Sequence, residues 1–111
     1  MVKTNDSNPE NSEVASCCCR HKATPRSEHS LRQLENRLNR MMGQLGGIKK
    51  MLADNRYCGD ILTQVAAVES ALQNFGYIIL SEHMATCVVE EIQQGNTAIV
   101  DEAVELVKKL K

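Results

Sequence analysis

The sequence predicts an all-α protein: a three-helix protomer whose long helices pair with those of a second copy as an antiparallel dimeric four-helix bundle. Three observations carry this. A strict apolar heptad runs through residues 31–52. A longer apolar stripe follows over about 37 residues. No segment shows the period-two alternation of a strand. Composition agrees. The chain has 111 residues, room for one domain, and only 3% of them are aromatic. Its apolar side chains are those of helix-packed cores. A chain this short buries a small share of its surface, so self-association is expected.

The stretch to about Ser30 is rich in Asn, Ser, Glu and Thr, is interrupted by Pro9 and Pro25, and has no apolar period. It reads as a disordered tail, 1–30, ahead of a helical domain, 31–111. In the first helix Leu31, Leu34, Leu38, Met41, Leu45, Ile48 and Leu52 form an a/d stripe of alternating three- and four-residue steps. Ser27 or Ser30 can cap its start. Gly43, Gly46 and Gly47 lower helix propensity; they permit close approach of another backbone or mark a bend. Asp54-Asn55 reads as a helix–helix turn.

The second helix runs from about Tyr57 to Gln94. Ile61, Val65, Val68, Leu72, Phe75 and Ile79 mark one stripe, and Gly76, Leu80, His83 and Cys87 continue a neighbouring one. At 1.5 Å per residue it is about 55 Å long. One partner helix of the first kind cannot cover it, so the surplus calls for another chain. Gly95 suits the residue after its end. Asn96 or Thr97 caps a short third helix through Leu110.

Charge is uneven. Residues 31–58 carry six basic side chains (Arg32, Arg37, Arg40, Lys49, Lys50, Arg56) and two acidic ones, Glu35 and Asp54. The remainder is acidic on balance, and the whole chain has a formal charge of −1. Clustered positive charge suits a polyanion. No apolar run approaches the roughly 18 residues of a membrane span. The polar N-terminus is not a signal peptide. A soluble, cytoplasmic protein is expected, and its five cysteines then point to metal or redox chemistry.

His83 and Cys87 stand at i and i+4 on one helix face and can grip one ion. Cys58 is the natural third ligand. It lies 25 residues from His83 on the same helix, about 37 Å away, so the three cannot meet within a chain. They can meet across a two-fold axis, Cys58 from one protomer and His83 with Cys87 from the other. Two thiolates and an imidazole form a soft three-coordinate set that suits Cu(I); Zn(II) or Ni(II) would need a fourth ligand. The tail motif Cys17-Cys18-Cys19-Arg20-His21 is a candidate auxiliary metal site. No nucleophile–base–orienter set appears, so an enzyme is not expected.

Arg37-Leu-Asn-Arg40, Gly43-Gln44, Gly47-Ile-Lys, Asn55-Arg-Tyr-Cys58, Asp60-Ile-Leu-Thr-Gln64 and His83-x-x-x-Cys87-Val together resemble the CsoR/RcnR family of metal-sensing transcriptional repressors. The resemblance spans about Ser30 to Lys111. It implies an all-helical dimer of dimers that binds operator DNA through a basic surface without a helix-turn-helix. The Cys–His–Cys pattern at 58, 83 and 87 resembles the Cu(I) sensors. The resemblance implies supporting roles for Tyr57, beside the first ligand, and for Glu102, which aligns once one residue is dropped from the Gly95–Thr97 turn. Arg37, Arg40, Lys49 and Lys50 are the implied DNA contacts. Gly46 replaces a basic residue usual in the family, and Met42 an acidic one, so the DNA-facing surface is rearranged. A homotetramer, operator DNA and a copper-donating chaperone are the expected partners. The alternatives are a nickel-responsive repressor of the same family that recruits His21 or His29, and a helical copper-buffering or thiol-redox protein without DNA binding.

Overall fold

The structure is a computed structural model that describes residues 20–110. Its elements are α1 (Glu28–Ala53), α2 (Cys58–His83), a π-helical segment (Met84–Val88), α3 (Val89–Gln93) and α4 (Ile99–Lys109), with no strand among the described residues. Cys17, Cys18 and Cys19 lie outside the described residues.

Helix α1 begins three residues earlier than the heptad implies. Ser27, in extended backbone, accepts a hydrogen bond from the amide of Ser30 and caps the helix. The order reaches further back still: residues 20–27, expected to lack structure with the rest of the tail, lie against the far end of α2. Their contacts are polar and long-range in sequence, which a search for apolar periodicity cannot register.

α1 and α2 pack together through one edge of the heptad stripe. Leu34 and Met41 are buried, while Leu31, Leu38, Leu45 and Leu52 stay 40–61% exposed. The stripe is therefore wider than one neighbour can cover. The turn between the helices closes with amide bonds from Asp54, Asn55 and Arg56 to the carbonyls of Lys50, Leu52 and Met51. Asn55 takes a left-handed backbone (φ 53°), which Asn tolerates better than most residues.

α2, the π segment and α3 form one continuous rod, Cys58 to Gln93. In the π segment Thr86 Oγ1 donates to the Glu82 carbonyl at 2.7 Å; Thr63 makes the same bond back to Gly59 within regular α2, so the hydroxyl alone does not widen the turn. Such widened turns are uncommon and concentrate at functional positions. Gly95 (φ 91°) ends the rod. α4 starts at Ile99, after Ala98 and without a side-chain cap from Asn96 or Thr97; Asn96 Nδ2 donates to Glu91 at 2.6 Å. α4 folds back along α2. Ile99 and Ala103 bury Val88 of the π segment. At the other end the Leu110 carbonyl accepts from Gln73 at 3.0 Å, and its side chain rests on Gly76, where a Cβ would come within 2.8 Å of it.

Candidate metal centre

His83 closes α2 and Cys87 sits within the π segment, so the widened turn carries both donors. His83 is half-buried, and its Nε2 is a buried atom with no hydrogen-bond partner. An imidazole nitrogen kept from water without a partner is costly unless something else takes its lone pair. Cys87 is half-buried and carries a free thiol. Both line an open groove of about 310 Å³ with Glu102 of α4 and His21. Glu102, implied by the resemblance, thus stands in the same groove as the two donors, and its carboxylate is paired with Arg20 at 2.9 Å.

Cys58 is the first residue of α2 and is exposed. The whole helix separates it from His83. Among the described residues no three His, Cys, Asp or Glu side chains gather as a metal-binding group. Each chain therefore presents a two-donor half-site at one end of α2 and a single thiol at the other. Tyr57 precedes Cys58, is 74% exposed and lays its ring over Gly59, where a Cβ would collide with it. It too lies a helix length from its own chain's His83.

Several groups around the half-site carry no signal in the sequence. Lys22 Nζ donates to Thr86 Oγ1 at 3.0 Å and to Cys87 Sγ at 3.3 Å. Glu82 is held by Arg26 Nε, 2.6 Å from its Oε1, and by Ser30 Oγ at 3.2 Å. These pairs are 52 to 65 residues apart or close to it, and only the fold reveals them.

The basic residues of α1 do not share one face. At ~100° per residue, Arg32, Arg40, Gly43, Gly47 and Lys50 fall within about 80° of one another, turned away from buried Leu34 and Met41. A Cβ added at Gly43 or Gly47 would meet nothing within 4 Å. The result is a smooth basic strip. Arg37 adjoins this strip: it borders one groove with Arg40, Met41, Gln44 and Ala71 and another with Asn74 and Tyr77 of α2. Lys49 stands toward the edge that carries Leu38. All four residues named from the sequence are exposed. His29, in the first turn of α1, is exposed and is not part of the groove's lining.

The architecture and chain have known counterparts. The copper-sensing repressor CsoR with Cu(I) from Geobacillus thermodenitrificans NG80-2 has a similar structure: TM-score 0.76, 34% identity, 82% of this chain and 96% of that one. The nickel-responsive transcriptional regulator InrS is also similar: TM-score 0.65, 36% identity, 79% of this chain and 100% of that one. In sequence, the chain is 38% identical over 78 residues to the copper-sensing transcriptional repressor CsoR of Bacillus subtilis, which covers 69% of this chain and 77% of that protein. It is 42% identical over 59 residues to the copper-sensing transcriptional repressor RicR of Mycobacterium tuberculosis, 53% of this chain and 62% of that one. The family described as metal-sensitive transcriptional repressor matches residues 30–109, a span that takes in the basic helix, Cys58, His83, Cys87 and α4. The chain belongs to the family of metal-sensitive transcriptional repressors.

Proposed function

We propose that this chain is a Cu(I)-responsive transcriptional repressor that holds operator DNA when metal-free and releases it on binding Cu(I). The observation that carries this reading is the split donor set: an unpartnered buried His83 Nε2 beside the Cys87 thiol at one end of a rigid rod, and an exposed Cys58 thiol at the other. Relatives named as copper sensors agree with it. An antiparallel pair of chains would bring Cys58 of one protomer to His83 and Cys87 of its partner, twice per dimer. Two sulfurs and one nitrogen suit a soft monovalent ion. The exposed leucines of α1 provide the apolar surface for that pairing, and pairing of dimers would multiply the basic strips offered to DNA.

Glu102 and Tyr57 would support the site. Glu102 faces the groove and can orient His83; Tyr57 would arrive on the partner beside Cys58. Arg37, Arg40, Lys49 and Lys50 would neutralise phosphates, Arg40 and Lys50 from the strip shared with Arg32. The tail thiols Cys17, Cys18 and Cys19 would serve as an auxiliary capture site, loaded by a copper-donating chaperone. The protein works in the cytoplasm and carries out no chemical conversion.

One observation favours a second reading, a nickel-responsive repressor. His21 lines the same groove as His83 and Cys87, and with Cys58 of another chain would make an N₂S₂ set that suits square-planar Ni(II). Anaerobic titration of Cu(I), and separately Ni(II), into the protein bound to its operator decides between them. Cu(I) should lower operator affinity by a coupling of about 1–3 kcal/mol without visible absorption bands. Unchanged affinity at saturating Cu(I) removes the mechanism. A coloured Ni(II) complex that alone releases DNA assigns the nickel role.

A further inference from the structure

The segment before α1 is fixed by contacts to every element at the sensor end. Arg20 holds Glu102 of α4. Lys22 reaches Thr86 and Cys87 of the π segment. Thr24 Oγ1 donates to Glu90 of α3 at 2.7 Å. Arg26 pairs with Glu82 of α2. The chain then passes directly into the Ser27 cap of α1, where Ser30 binds the same Glu82. Irregular backbone thus stitches the metal half-site to the start of the basic helix.

None of residues 20–27 is fully buried; Lys22 and Arg26 border a groove with Phe75, Ile79 and Leu80, and the specific contacts are polar. Contacts of this exposed or half-exposed kind are individually weak. They hold as a set, and loss of one loosens the others. Lys22 is the member that touches a proposed ligand. Its side chain lies in the two grooves that border His83 and Cys87, the space through which a thiol from another chain must enter. That thiol arrives on the first residue of a helix, at the positive end of its dipole, together with a cation. Lys22 carries the same sign of charge and occupies the same sulfur.

We propose that residues 20–27 are a strap, latched onto Cys87 by Lys22 in the metal-free chain and released when Cys87 takes metal, and that this release carries the signal to α1. The inference rests on the reading of Cys87 as a metal ligand. It makes Lys22 a positioning residue for the DNA-binding state.

Trypsin tests the strap in the full-length protein, because Lys22 is itself a cleavage site and is followed by Ala23. Cleavage after Lys22, followed by mass spectrometry with and without equimolar Cu(I) under anaerobic conditions, should become roughly tenfold faster with the metal, as the open population rises. In parallel, Lys22→Met keeps the stem and removes the ammonium. Its metal-free form should bind operator DNA about as weakly as the Cu(I)-loaded wild type, and added Cu(I) should change little more. Circular dichroism should show its helices intact, since Lys22 precedes them all. Arg26→Gln, which breaks the strap's pair with Glu82 and leaves the Lys22 contact to Cys87 in place, should give the same loss of response. If wild-type DNA affinity responds to Cu(I) while cleavage at Lys22 does not change, or Lys22→Met responds as fully as wild type, the strap is refuted. If wild type itself does not respond to Cu(I), the functional reading beneath it fails instead.

Discussion

Two crippled chains should repair one another. The perturbation is a pair of variants, Cys58→Ala and Cys87→Ala, each with Cys17, Cys18 and Cys19 changed to Ser so that the tail adds no thiols. Cys58 opens α2 and His83 closes it, 25 residues on, so ~1.5 Å per residue separates them by about 37 Å. A metal–ligand bond spans only about 2.0–2.3 Å. No bending of a continuous helix closes that gap, so a complete site must take Cys58 from another molecule. Neither variant alone can then build one. Co-refolded in equal amounts, half of random pairs are mixed, and each mixed pair has one complete site and one lacking both sulfurs. Bound Cu(I) should recover to about a quarter of the wild-type amount per chain. The assay is competition against a chromophoric Cu(I) chelator, with each variant alone as baseline. A mixture that binds no more than its parents refutes the shared site. So does either variant that retains full binding alone.

Other expectations concern the DNA surface and the helix ends. Arg40→Ala with Lys50→Ala should flatten the slope of log affinity against log salt by about 2 per engaged chain, with Cu(I) stoichiometry unchanged in the same preparation. Gly47→Ala should raise the thermal unfolding midpoint, since it restores about 1 kcal/mol of helix propensity and nothing lies within 4 Å of the new Cβ; a lowered midpoint would show another backbone against that face. Gly95→Ala should cost roughly 1–2 kcal/mol in a melting experiment, because φ 91° suits only glycine. Ser27→Ala should cost about 1 kcal/mol through loss of the α1 cap, read the same way.

The helices were legible because their information is local. Leu34 and Met41 repeat at a spacing that only a helix turns to one side, and Asn55 and Gly95 mark their breaks with residues that accept positive φ. The His83–Cys87 spacing pointed to a shared face for the same reason. Three features were hidden, each for a physical cause. The π segment has no distinct residue signature: Thr86 bonds one turn back within it, and Thr63 does the same in regular helix. Lys22 meets Thr86 and Cys87, and Arg26 meets Glu82, across more than fifty residues through polar contacts, which leave no periodic trace. The placing of Arg40 and Lys50 on one basic strip, with Arg37 at its edge and Lys49 on the side that carries Leu38, depends on which edge of the stripe α2 covers.

The thinness of the interior has a practical consequence. Among the described residues five are buried, Leu34, Met41, Val88, Ile99 and Ala103, while sixteen large apolar side chains remain open on the single chain. Under the proposed pairing a second copy covers that surface, and folding and assembly become one equilibrium governed by mass action. Diluting the sample shifts it toward unfolded chains. A melting midpoint for this protein has meaning only beside the concentration at which it was recorded, and variants are comparable only at matched concentration.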